Sequence, residues 1–192
     1  MDHSIIQNGF GLRLRPVRIE DADFILKLRC NPKLNRFIGD TSPDIEMQKK
    51  WMWDYFKRPG DYYFCMELEK TGNPVGAIAI YNVLADLSKA EWGRWIISPE
   101  ILAAPASAYL IYKIALEQLG LSQVYCRTLA DNFPVVSFHD SLGAERQGIL
   151  KNDAIIRGEP KDHVLHQVDQ EHWKTIKPKL FSIADKTSRF LE

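Results

Sequence analysis

The chain has little cysteine and no excess of charge. Its 192 residues hold three cysteines, Cys30, Cys65 and Cys126, widely spaced and with no CxxC pair. An odd, scattered set of this kind argues against a disulfide framework and against a zinc site. The 25 Lys+Arg and 25 Asp+Glu cancel. Binding to duplex nucleic acid normally needs a basic excess, so zero net charge argues against such a partner. No stretch reaches the ~20 apolar residues of a membrane-crossing helix. The best candidate, Ile101 to Leu119, is broken by Pro105, Lys113 and Glu117. The segment Met1 to Phe10 lacks the basic start and apolar run of a secretory signal, which points to a cytoplasmic protein with reduced thiols.

What is present fits a single globular domain: 45% apolar, 11% aromatic and 26% charged residues. A chain of this length buries roughly 70% of its unfolded surface. Leu12 to Val17 alternates apolar and polar residues, as a half-buried strand does. Glu20-Asp21-Ala22-Asp23 then opens a helix with acidic residues at its positive end. Leu34 to Ile38 reads as a further helical turn, and Asp44 to Phe56 as a helix with Trp51, Trp53, Tyr55 and Phe56 spread around it. Tyr62 to Glu69, Val75 to Val83 and Lys89 to Ser98 follow as an antiparallel meander. Thr71-Gly72-Asn73-Pro74 is one of its turns. Ala104 to Leu119 reads as a long helix and Leu121 to Leu129 as a strand. Phe133 to Leu142 reads as a helix, and Glu145 to Lys151 and Asp162 to Val168 as the last strands. Residues 170–192 form a helical extension. The order predicts one α/β (α+β) domain over 1–192, with a mixed, mostly antiparallel sheet between helices.

Three segments carry a resemblance. They are Leu12-Arg13-Leu14-Arg15-Pro16 with Glu20-Asp21-Ala22; Ala90-Glu91-Trp92-Gly93-Arg94-Trp95-Ile96-Ile97; and Asp131-Asn132-Phe133 through His139 to Leu142-Gly143. Together they resemble the GNAT acyl-CoA N-acetyltransferase superfamily, in the branch that acetylates ribosomal-protein N-termini and related substrates. A narrower similarity lies in Arg29-Cys30-Asn31-Pro32 and Asn35-Arg36-Phe37-Ile38. It resembles enzymes that acetylate the amino group of nucleotide-linked 4-amino sugars, of the pseudaminic-acid type.

The resemblance implies acetyl-CoA as co-substrate, no metal, and a small primary amine as acceptor. It also implies roles for residues. Ile96 and Ile97 on the central strand and Asn132 after the later strand would contact the coenzyme. The family's Gln/Arg-x-x-Gly-x-Gly/Ala loop falls on Leu102-Ala103-Ala104-Pro105-Ala106-Ser107. Backbone N–H groups of Ala103, Ala104, Ala106 and Ser107 would hold the pyrophosphate at a helix start. Leu102 and Pro105 depart from the pattern and leave open a GNAT-like domain that binds without catalysis. Acetylation of a protein N-terminus is the other enzyme reading.

Glu91 is the candidate base, because a carboxylate between apolar neighbours on an inner strand holds a proton more readily. Strand alternation sets Glu91, Gly93 and Trp95 on one face, with Gly93 marking a bulge whose N–H groups hold the thioester carbonyl. His139 stands where the family often carries a tyrosine that protonates the leaving thiolate, and a histidine titrates in the right range. Arg29, Asn31 and Arg36, with Trp95, are the candidate acceptor contacts, since arginine forks suit phosphate. His163, His166 and His172 do not suggest a metal site, because alternation puts His163 and His166 on opposite faces. Trp173, Leu180, Phe181 and Phe190 are candidates for a homodimer surface.

Overall fold

The computed structural model describes residues 2–191; Met1 and Glu192 lie outside the described residues. Eight strands form one sheet in the order β1-β2-β3-β4-β5-β6-β8-β7. They are β1 (Gln7–Gly9), β2 (Leu12–Pro16), β3 (Tyr62–Leu68), β4 (Pro74–Tyr81), β5 (Lys89–Ile97), β6 (Gln123–Leu129), β7 (Glu145–Ile156) and β8 (Glu159–Asp169). The helices are α1 (Ala22–Cys30), α2 (Ile45–Phe56), α3 (Ala104–Tyr112), α4 (Phe133–Leu142) and α5 (Gln170–Ser188).

The expected meander is present, and most helix limits follow from their caps. The Asp44 carboxylate accepts the Glu46 N–H at 2.8 Å and starts α2. The Asp169 carboxylate accepts the His172 N–H at 2.7 Å and starts α5. Gly143, with φ +97°, ends α4 in the left-handed conformation that an L side chain resists. Three expectations need correction. Leu34 to Ile38 holds only a 3-10 turn, Asn35–Phe37. The long helix after Ala104 turns into a π-helix over Lys113–Gln118. The last two strands are far longer than their apolar runs suggested, because the outer half of β7 is largely exposed and shows no burial period.

The sheet separates two cores. On the back, Trp92, Leu110, Tyr112, Val124, Trp173, Ile176 and Leu180 join the sheet to α3 and α5. On the front, Ile25, Leu28, Met52, Tyr55, Tyr63 and Ile96 join it to α1 and α2. Trp173 and Leu180 are therefore packed inside the molecule and do not form a dimer surface; Phe181 and Phe190 stay exposed.

All neighbouring strands are antiparallel except β5 and β6. These two are parallel and pair only over Lys89–Glu91 and Gln123–Tyr125. Beyond Glu91 they separate, and the sheet opens into a wedge. No helix among the described residues is long and apolar enough to cross a membrane.

Candidate active site

The wedge holds a cavity of about 270 Å³. Its walls come from β5 (Trp92 to Ile96), β6 (Cys126 to Leu129), α4 with its lead-in (Asn132, Val135, His139), β8 (His163) and the loop after α1 (Phe37, Ile38, Gly39). A second cavity of about 440 Å³ lies toward α2, between Asp40, Thr41, Gln48, Trp51 and Tyr63. Arg29 and Arg94 border both.

The bulge expected at Gly93 is there. β4 pairs Ala79 with Gly93 but Ala77 with Ile96, so Arg94 and Trp95 fall outside the ladder. Arg94 adopts φ +48°, a left-handed conformation unusual for a bulky side chain. The extra residue breaks alternation and reverses one expectation. Trp95 does not share a face with Glu91. It lies on the back beside Trp92, ring centres 5.3 Å apart, and its indole N–H donates to Ser107 Oγ at 3.0 Å. Arg94 turns to the front instead. There it forms a two-pronged ion pair with Asp61 at 2.6 and 2.9 Å and lies over the Tyr81 ring at 4.4 Å. Trp95 lines the cavity, but its polar edge is already bonded.

Glu91 is 2% exposed and does not line either cavity. The apolar surroundings expected for a base are absent. Arg127 grips both carboxylate oxygens at 3.0 Å, the Tyr81 hydroxyl donates at 3.0 Å and the Asn82 amide at 3.3 Å. Held by these donors and shut off from both cavities, the carboxylate is a structural anchor.

His139 does border the cavity, yet it is 1% exposed. Trp92, Trp95, Phe138 and the His166 ring surround it. Burial, aided by His166, pushes its imidazole down to about 3. As a neutral ring near pH 7 it lacks the imidazolium proton that the expected acid role calls for. Its Nε2 lies 3.5 Å from the Cys126 sulfur, a thiol whose own pKa burial drives far upward.

At α3, Ala103 and Ala106 are fully buried and Leu102 is out in solvent, 53% exposed. The Ser107 N–H is bonded to the Ala103 carbonyl at 2.9 Å, and Pro105 has no N–H. Ser107 is thereby removed from the expected pyrophosphate cradle. Ala104 and Ala106 keep the N–H groups of the helix start. Ile96 lines the cavity, whereas Ile97 packs into the back core. Asn132 also lines it, and its side chain makes no helix cap.

Of the four expected acceptor contacts, apart from Trp95, only Arg29 reaches the wedge. Its Nε donates to Thr41 Oγ1 at 3.0 Å, and its two terminal nitrogens have no hydrogen-bond partner among the described residues. The Asn31 side chain closes its own turn by accepting the Lys33 N–H at 2.9 Å. Arg36 lies against Phe37 and faces a separate groove beside Asp131 and Lys161.

Sequence reading passed over Arg127 and weighed His163 only as a metal ligand, yet both line the cavity. His163 is on the front and His166 on the back, as alternation requires. His163 Nδ1 lies 2.7 Å from Asp153 Oδ2, and Arg127 reaches the same oxygen at 3.1 Å. The cue was Asp153, whose position in an irregular stretch of β7 hid its direction. No group of three or more metal-ligating side chains occurs among the described residues.

A mixed sheet that splits between two central parallel strands, with a bulge on one lip and a helix start behind, defines the class of acyl-transfer proteins that admit a thioester coenzyme through the split. The family model for the acetyltransferase (GNAT) domain matches residues 11–145, and the chain belongs to that family. It is accordingly an N-acetyltransferase. Apo FdhC, a nucleotide-linked sugar GNAT, is similar at 27% identity and TM-score 0.78, covering 99% of this chain and 100% of that one. A GCN5-related N-acetyltransferase from Brucella melitensis shares the fold at 17% identity and TM-score 0.82, covering 95% and 86%. A variant of the spermidine N-acetyltransferase SpeG from Vibrio cholerae does so at 18% and 0.74, covering 89% and 99%. By sequence, no curated protein matches.

Proposed function

We propose that the protein transfers an acetyl group from acetyl-CoA to a primary amine on a nucleotide-linked sugar. One observation carries the acceptor class: the end-to-end similarity to a nucleotide-linked sugar GNAT. Arg29 supports it, because a guanidinium that borders both cavities with its two terminal nitrogens open suits a phosphate. The amine enters from the front and the coenzyme from the α3–α4 side. The N–H groups of Arg94 and Trp95, outside the ladder, meet the thioester oxygen as it gains charge. Ala104 and Ala106 offer their N–H groups to the pyrophosphate, with Ile96 and Asn132 along the coenzyme arm.

Isothermal titration with acetyl-CoA, followed by a panel of acceptors, tests the proposal. Binding is expected, with highest kcat/KM for a nucleotide-linked amino sugar. Undetectable binding at millimolar acetyl-CoA overturns the coenzyme assignment. Preference for spermidine or a peptide N-terminus overturns the acceptor.

A further inference from the structure

Acylation of an amine needs somewhere for a proton to go. An alkylammonium group cannot attack; it must first lose a proton to a group within reach. Six titratable side chains border the wedge cavity: Arg29, Arg94, Cys126, Arg127, His139 and His163. The three arginines stay charged at any working pH. The Cys126 thiol is buried, and His139 is held neutral within an aromatic cage. Glu91 is outside the cavity and fully bonded.

We infer that His163 takes the amine proton. Its Nδ1 is 2.7 Å from the Asp153 carboxylate. A carboxylate only accepts, so Nδ1 carries the hydrogen and Nε2 carries the lone pair. Nε2 has no hydrogen-bond partner among the described residues. Asp153 is itself held by Arg127 at 3.1 Å, and Arg127 is fixed by its two bonds to Glu91. A string of side chains from β5, β6 and β7 therefore fixes the tautomer and tilt of a ring on β8. The charged neighbours of His163 are Asp153, Arg127 and, next in the chain, Asp162, which is occupied by Lys151 at 2.7 Å. Across the cavity are Arg29, Arg94 and His139.

The step balances. His163 Nε2 removes one proton from the ammonium group, directly or through a water, and becomes imidazolium. The amine lone pair forms the C–N bond at the thioester carbon. The tetrahedral intermediate collapses, the C–S bond breaks, and the second nitrogen proton passes to the thiolate. His163 returns its proton to solvent.

The inference rests on amine acylation and not on which amine is used. With any acceptor the wild type turns over, His163→Gln should lower kcat ~100-fold or more, with the acetyl-CoA Kd within twofold. It should also abolish the acidic limb of the kcat/KM profile. His163→Ala should regain at least tenfold activity with added imidazole, and Asp153→Asn should lose about tenfold. A His163→Gln enzyme with kcat within threefold of wild type and an unchanged acidic limb overturns the assignment. So does a His163→Ala enzyme indifferent to imidazole. If no amine on the panel reacts, the acceptor proposal fails separately, and 15N NMR of the ring decides the base. A bare Nε2 at pH 8 supports it, and an Nε2–H tautomer overturns it.

Discussion

His139 and His163 border one cavity from opposite sides of the sheet, and their surroundings assign them opposite chemistry. His139 sits behind the sheet among Trp92, Trp95 and Phe138, with no acid against its own ring. Its polar companions are the buried Cys126 thiol at 3.5 Å and another buried histidine, His166, which is itself occupied by Asp140 at 2.9 Å. His163 stands in front, with a carboxylate at 2.7 Å and an arginine behind that carboxylate. Residue type alone says that both can titrate near neutrality. Burial without a counter-charge silences the first, and a fixed counter-charge prepares the second.

Removing the anchor of the front string has the largest expected effect. Glu91→Ala strands Arg127 beside a buried hollow and should cost about 2–4 kcal/mol, read from urea midpoints. Loss within 0.5 kcal/mol would mean that the string is slack.

The next effect separates the histidines by pH. The folded-state pKa of His139 is lowered to about 3 from an ordinary 6.5, so the unfolded chain binds its proton first as pH falls. Stability supplied by the neutral ring is full above pH 6.5 and drains away toward pH 3. From pH 6.5 to 5 the wild type should lose up to ~2 kcal/mol through this group, and His139→Phe should flatten that slope. An equal slope in both proteins would place the ring in water.

A smaller change falls on the acceptor side. Arg29→Ala should raise the acceptor KM about tenfold, or ~1.4 kcal/mol, and leave the acetyl-CoA Kd unchanged. The smallest lies at the rim of the rear pair. Arg146 bonds Asp140 in the open, with both side chains more than 40% exposed, so Arg146→Ala should shift stability by less than about 0.5 kcal/mol.

Much of the architecture was legible, because the meander and α4 are written in local patterns. Phe133 to Leu142 carries Pro134 at its first turn and Gly143 at its end, both strong local signals. The site was less so, for reasons of register. Gly93 announced a bulge, but the strand's facing was still read by strict alternation, and one added residue moved Trp95 to the back and Arg94 to the front. β7 hid its length in the same way. Asn152 at φ +53° and a register shift between Leu150 and Ala154 break the pattern just where Asp153 turns toward Arg127 and His163. Burial of His139, on α4, is a tertiary matter, since Trp92 and Trp95 come from β5. Arg127 is a strand cation with no local signal, set apart only by its tertiary pairing with Glu91 and Asp153.

The string Glu91–Arg127–Asp153–His163 also has a sum. With the ring neutral, two carboxylates and one guanidinium leave the string itself one negative charge, set across the cavity from the positive Arg29. An arriving ammonium group is drawn toward that charge. Once its proton has moved to His163, the string is neutral and the attraction ends. The same four side chains thus favour the cation that must enter and release their hold on the uncharged amine that must react.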